Sequence, residues 1–204
     1  MYKIGITGSI GTGKTTIASM FAMFGIPVFN ADIEIQKILA RQNIKGKISS
    51  IWPQTLKSNN LDKRELRKII FSNEKEKKKL EQLLYPFLKI EAKKFERINE
   101  EKKLLVYDVP LIYETKSEKN YDLILLANCN KNLQRKRVLA RDKITNSLFE
   151  NIITSQLSFN EKIKFRPKII NTDSLKLFIL IKILLLIVKI RIILKIKKWN
   201  KKES

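Results

Sequence analysis

Histidine is absent from this 204-residue chain. Without an imidazole, histidine metal sites, histidine general bases and Ser-His-Asp triads are excluded, leaving carboxylates, lysine, arginine and tyrosine for acid–base work. A single cysteine, Cys129, excludes an internal disulfide framework and a thiolate zinc cluster. Because it follows an apolar segment, a half-buried structural thiol in a reducing compartment is expected. Acidic residues are scarce: 20 Asp and Glu stand against 42 Lys and Arg, for a net charge of +22. That balance favours polyanionic ligands such as ATP or coenzymes, and equally allows nucleic acid or an anionic membrane. Lys, Ile and Asn all have A/T-rich codons, so coding bias is expected to account for much of the excess without any basic partner. The C-terminal tail lacks a long uncharged apolar run as well. The C-terminal tail from Leu175 to Trp199 is rich in Leu, Ile and Val, yet its longest uncharged run is Ile183 to Val188, far short of the ~20 apolar residues a membrane span needs.

What the chain does have is Gly8-Ser9-Ile10-Gly11-Thr12-Gly13-Lys14-Thr15, a G-x-x-x-x-G-K-[ST] phosphate-binding loop. It follows the apolar run Lys3 to Thr7 and precedes a helical pattern in which Ile17, Met20, Phe21 and Phe24 share a face. Gly8 and Gly13 let the backbone wrap a phosphate group, whose charge is attracted by exposed N–H groups and the positive end of the following helix. Lys14 reaches the outer phosphates, the Thr15 hydroxyl suits Mg²⁺, and Gly11, Thr12, Gly13 and Thr16 complete the nucleotide cradle. The strand signal begins at Tyr2, which leaves no room for a leader peptide, so a cytoplasmic protein is expected.

A short second strand over Ile26 to Asn30 leads through Ala31 and Asp32 into a helix from Ile33 to Arg41. Asp32 stands where a carboxylate faces bound phosphates in open parallel sheets; its position equally fits a helix N-cap. From Asn43 to Glu101 strand signals vanish. Charged helical patterns replace them, over Asp62 to Phe71, Glu74 to Leu84 and, after a break at Tyr85-Pro86, on to about Asn99. Leu104 to Asp108 is the pattern of a buried parallel strand ending in a carboxylate that resembles a Walker B residue and points to the Mg²⁺-nucleotide region. Pro110 ends that strand, and Glu114 follows on the same side if the turn is tight. Further strands are expected over Tyr121 to Ala127 and Pro167 to Asn171, and two short helices over Asn146 to Lys164. On a helix over Lys131 to Asp142, Arg137 and Arg141 lie at i and i+4 with Arg135 nearby, an arrangement suited either to a phosphate clamp or to a basic solvated face. The tail is expected to be a helix packed partly on the sheet. Membrane association is disfavoured but left open by its basic residues and Trp199.

Several of these residues together resemble the dephospho-coenzyme A kinase family, over about residues 1 to 170. The resemblance rests on Ile6 to Thr15, Asn30-Ala31-Asp32, Tyr85-Pro86, Asp108-Val109-Pro110-Leu111-Ile112-Tyr113-Glu114, Arg137 through Arg141-Asp142, and Gln156 followed by Glu161-Lys162. It implies an α/β P-loop kinase fold, a five-stranded parallel sheet flanked by helices. The core would cover about 1–32, 102–140 and 165–204, with a helical coenzyme-binding insertion at 33–101 and a lid at 141–164. It implies transfer of the ATP γ-phosphoryl group to the ribose 3′-hydroxyl of dephospho-coenzyme A. By position, Asp32 matches the proton-accepting aspartate, Lys14 and Thr15 the phosphate and Mg²⁺ residues with Asp108, and Arg141 a lid arginine. Tyr85, Pro110, Leu111 and Glu114 stand on the substrate side.

The chain departs from the pattern in its hydrophobic tail, which does not look like the usual amphipathic helix, and in three places before it. Asn30 replaces the first of two aspartates, Tyr85 replaces a histidine, and Asn171-Thr172-Asp173-Ser174 lacks the usual glycine. The alternatives are another small-molecule or nucleotide P-loop kinase and a non-kinase P-loop protein. A guanine-specific N-K-x-D segment fails at Leu133, and the basic residues are not interleaved with aromatics as a nucleic-acid surface requires. The expected partner is therefore a small molecule, with no nucleic acid, and the chain is expected to act as a monomer or weak homo-oligomer.

Overall fold

A computed structural model of the chain describes residues 1–57, 60–142 and 145–200; the side chains of 71, 72, 142 and 197–200, which include Asp142 and Trp199, lie outside the described set. The chain divides into two compact units, residues 1–29 with 99–204, and residues 30–98.

The first unit is built on a sheet. Its strands are β1 (Tyr2–Thr7), β2 (Val28–Asn30), and, after the second unit, β5 (Leu104–Asp108), β6 (Leu123–Asn128) and β7 (Lys168–Asn171). They lie in the order β2-β5-β1-β6-β7. β1 runs parallel to β5 and to β6, and β6 parallel to β7, with Ile6 opposite Asp108 and Thr7 opposite Leu126. All of Leu104–Asp108 is buried, which is why the run reads as continuously apolar rather than alternating. Helix α1 (Lys14–Met23) buries Ile17, Ala18, Met20 and Phe21 against these strands. The same core takes in Ile179, Ile183, Leu186, Ile187 and Ile190 of the C-terminal helix α9 (Lys176–Asn200). Each such fully buried aliphatic or aromatic side chain stabilises the unit by about 1.5–3 kcal/mol. Helices α6 (Lys131–Asp142), α7 (Asn146–Thr154) and α8 (Phe159–Ile163) complete the unit at the predicted places. Cys129 is more buried than expected, and burial raises its thiol pKa.

The second unit holds α2 (Ala31–Leu39), α3 (Gln42–Ile51), α4 (Lys63–Ser72) and α5 (Glu74–Ile98) around Ile38, Ile44, Ile48, Trp52, Leu66, Leu80 and Leu84. Three sequence expectations fail here. A two-residue antiparallel pair, β3 (Leu56–Lys57) with β4 (Asn60–Leu61), lies where no strand signal was read, being too short to show a period. Pro86 does not break the helix but sits inside the continuous α5. A proline there costs about 3 kcal/mol. The apolar stripe continues past it, from Leu80 and Leu84 to Phe87 and Leu88, all packed in one cluster, so tertiary packing on both sides of the proline outweighs that cost. Finally, the N-cap of α2 is Asn30, whose side chain accepts a hydrogen bond from the Ile33 N–H at 2.9 Å. Asp32 is therefore an exposed first-turn residue, and the helix-cap reading of it is overturned.

Candidate active site

The phosphate loop is shaped by its glycines and fastened from outside. Gly13, the N-cap of α1, has φ +91° and gives the first turn of the helix no side-chain cap bond. A Cβ on Gly13 would press on Thr172 at 3.0 Å, and one on Gly8 (φ +144°) would meet the Ala127 carbonyl at 2.6 Å. The loop carbonyls are held by protein partners. Ser9 C=O accepts from Thr12 Oγ1 at 2.8 Å and Lys14 Nζ at 3.2 Å, Ile10 C=O from Gln134 Nε2 at 2.7 Å, and Thr12 C=O from Thr172 Oγ1 at 2.8 Å. In a planar trans peptide the following N–H points opposite the carbonyl. Those three anchors therefore turn the Ile10, Gly11 and Gly13 N–H groups away from their partners, as an anion-binding nest requires.

At the end of the buried strand, Asp108 is 3% exposed, and its Oδ2 accepts from Thr15 Oγ1 at 3.2 Å. The sequence placed these two residues 93 positions apart in one role, and the fold brings their side chains together. A hydroxyl and a carboxylate converging in this way suit Mg²⁺, which takes one or two protein oxygens and fills its octahedron with water and phosphate. Among the described residues no group of three or more His, Cys, Asp or Glu forms a self-sufficient cage. The buried Thr7 hydroxyl donates to the Pro110 carbonyl at 2.8 Å, fixing the turn after β5 against the end of β1. Thr16 is half-buried in the first turn of α1.

That turn carries the expected substrate-side residues. Pro110 and Leu111 are half-buried, and the Leu111 carbonyl accepts from Thr115 Oγ1 at 2.7 Å. Glu114 Oε1 accepts the Leu157 N–H at 3.0 Å and lies 2.9 Å from Lys162 Nζ, whose side chain is 1% exposed. This carboxylate thus ties the turn after β5 to the segment between α7 and α8. Beside it, Tyr113 stacks on Phe165 with ring centroids 4.4 Å apart, and burial with two nearby carboxylates pushes its phenol up to about 12.

The arginines of α6 are divided between tasks. Arg137 donates to Thr172 Oγ1 at 3.0 Å and to the Thr172 carbonyl at 2.9 Å, and Arg135 Nε donates to Asn146 Oδ1 at 3.2 Å. Arg137 is neither on a solvated face nor free for a phosphate but braces the phosphate loop through Thr172, while Arg141 is exposed in the last turn. Sequence reasoning missed Gln134 and Thr172 as loop anchors. Both lie far from the motif, and the one signal near either was the missing glycine in Asn171-Thr172-Asp173-Ser174. In the helical unit, Asp32 is exposed on α2, and Tyr85 is 46% exposed on α5.

The model of the dephospho-CoA kinase family matches residues 2–176 of this chain. The chain belongs to that family. Its sequence is 33% identical to the dephospho-CoA kinase of Fusobacterium nucleatum over 175 residues, 84% of this chain and 89% of that protein, and 31% identical to that of Rhodopseudomonas palustris, covering 85% and 88%. Among solved structures, TT1252 from Thermus thermophilus superposes with a TM-score of 0.79 at 27% identity, covering 92% of this chain and 96% of that one. A dephospho-CoA kinase from Campylobacter jejuni, with a TM-score of 0.60 at 23% identity over 92% and 96%, shares the fold. The family match ends at the first residue of α9.

Proposed function

We propose that this member of the dephospho-CoA kinase family transfers the γ-phosphoryl group of ATP to the ribose 3′-hydroxyl of dephospho-coenzyme A, the last step of coenzyme A formation. The observation that carries the reading is the pairing of Thr15 with Asp108 beneath a phosphate loop whose Ser9, Ile10 and Thr12 carbonyls are taken up by protein partners. Phosphoryl transfer through a loose transition state needs positioning and charge neutralisation more than covalent help, and this arrangement supplies both. The loop amides of Gly11 and Gly13, with Thr12 and Thr16 completing the cradle, hold the phosphates. The Lys14 ammonium neutralises charge on the transferring group, and Arg141 adds a second cation from the lid, residues 141–164. Thr15 and Asp108 hold Mg²⁺, which supplies charge neutralisation across the phosphates. Asp32 accepts the proton of the attacking hydroxyl. The helical unit receives the coenzyme, with Tyr85 on α5 and Pro110, Leu111 and Glu114 on the turn after β5 on the substrate side. The protein works in the cytoplasm as a monomer or weak homo-oligomer, on a small molecule rather than on nucleic acid.

The test is to incubate the purified protein with Mg-ATP and a panel of dephospho-coenzyme A, nucleosides and nucleoside monophosphates, and to identify the phosphorylated product. Phosphate on a nucleoside monophosphate but not on dephospho-coenzyme A rejects the reading. Asp32→Asn is expected to lower turnover by about two orders of magnitude or more while leaving ATP binding intact, as loss of a general base does. Because Asn30 and not Asp32 caps α2, this substitution leaves the cap in place.

A further inference from the structure

Helix α9 presents two apolar faces on opposite sides. One is the stripe Ile179, Ile183, Leu186, Ile187 and Ile190, buried in the sheet unit. Each residue advances an α-helix by about 100°, which places Phe178, Ile181, Leu185, Val188, Ile192 and Ile196 on the opposite side. These six are 44% to 63% exposed. The same rotation places the exposed Lys182 and Lys189 along one border of the outer stripe, and the exposed Arg191 and Lys195 along the other. The stripe runs for about 27 Å of helix. Read as a sequence, α9 lacks a polar face because it is apolar on two sides, with Lys182, Lys189, Arg191 and Lys195 on the borders between them.

We propose that the outer face of α9 docks on an anionic phospholipid surface. Apolar side chains at the centre and long cationic side chains at both margins match the layering of such a surface, in which acyl chains lie below a negatively charged headgroup plane. Lysine and arginine stems extend along apolar surface while their charges stay at the headgroups. Each basic residue near an anionic leaflet adds to the attraction. A second copy of the chain fits the face less well. Between Lys176 and Asn200 there is no acidic residue, so apposing two such faces sets cation rows against each other without compensation, whereas anionic headgroups neutralise them. No helix of the described residues is long and apolar enough to cross a membrane, so the helix lies along the surface while its inner face stays packed in the core.

The test uses the full chain and sedimentation with vesicles, either of phosphatidylcholine alone or of phosphatidylcholine containing about one third phosphatidylglycerol. Binding is expected to the anionic vesicles, to be at least about tenfold weaker on the neutral ones, and to fall as salt rises. Leu185→Ser with Ile192→Ser keeps the net charge, and is expected to weaken binding to anionic vesicles about tenfold or more without lowering the thermal unfolding midpoint. Lys182→Glu with Lys189→Glu is expected to do the same by removing the margin. Absence of binding to anionic vesicles overturns the proposal. So does binding that the serine pair leaves unchanged, which would reduce it to bulk charge. Concentration-dependent self-association that the serine pair abolishes, without vesicle binding, would assign the face to a second copy instead.

Discussion

In the sheet unit the polar groups that matter are buried at strand ends and on α6 and α8 and bond across the fold; in the helical unit the ion pairs lie nearer the surface. Asp108, Thr7, Gln134, Thr172 and Lys162 are all under 9% exposed and each bonds across the fold. Beside them, the helical unit sets Arg41 against Glu91 at 2.7 Å and Lys57 against Asp62 at 2.8 Å, with the cationic partners 37% and 68% exposed. Phosphoryl transfer depends on sub-ångström placement of charge, and among the described residues both buried charged side chains, Asp108 and Lys162, lie in the sheet unit. The helical unit is stabilised by its apolar cluster and uses surface charge as a margin.

The strongest way to sharpen that contrast is Lys14→Ala. It removes one cation from a preorganised phosphate site and is expected to cut turnover by about three orders of magnitude, with little change in the urea midpoint; steady-state transfer assays and urea titration together check both halves. Next comes the buried pair of the same unit. Glu114→Gln leaves the Lys162 ammonium buried without its counter-charge and is expected to destabilise by about 3 kcal/mol, with the double variant carrying Lys162→Met recovering much of the loss; equilibrium denaturation measures both. The surface pair of the helical unit is the matched control. Arg41→Ala is expected to cost about 0.5–1 kcal/mol, and less in high salt. A loss as large as that of Glu114→Gln would break the comparison.

The smallest effect expected is one of pH. The hydrogen-bonded ion pair with Lys57, followed by the Glu65 N–H, holds the half-buried Asp62 carboxyl at about 2, below its usual value of 3.8. A depressed carboxyl contributes stability that is present above its unfolded pKa and is lost as the pH falls through the folded one. The contribution should therefore disappear between about pH 4 and pH 2. Asp62→Asn, an equally good N-cap, should flatten that part of a denaturation-midpoint profile and little else.

How much of this could be read from the residues depends on how local the cause is. The loop from Gly8 to Thr15 and the carboxylate ending Leu104 to Asp108 were legible because each is contiguous, with glycine torsions or continuous burial imposing its own pattern. The role of Asn30 was missed because it and Asp32 are both good caps two residues apart, and only the Ile33 hydrogen bond decides between them. Pro86 was misread because propensity is local while the packing of Leu84 and Phe87 is not. Arg137 looked like a phosphate ligand until Thr172, 35 residues away, was seen to take both of its bonds. The two faces of α9 merged into a single hydrophobic tail because periodicity cannot separate an inner apolar stripe from an outer one.

The bond from Thr172 to the Thr12 carbonyl spans 160 residues, which sets an order of events during synthesis. A chain emerging from the ribosome makes the glycine-rich loop almost at once but lacks its outermost brace until the last strand, β7, has paired with β6. Contacts so distant in sequence form late, because the entropy of closing the intervening chain must be overcome first. The nucleotide site is thus begun first and finished last. Nascent or C-terminally truncated chains should carry the motif without the affinity.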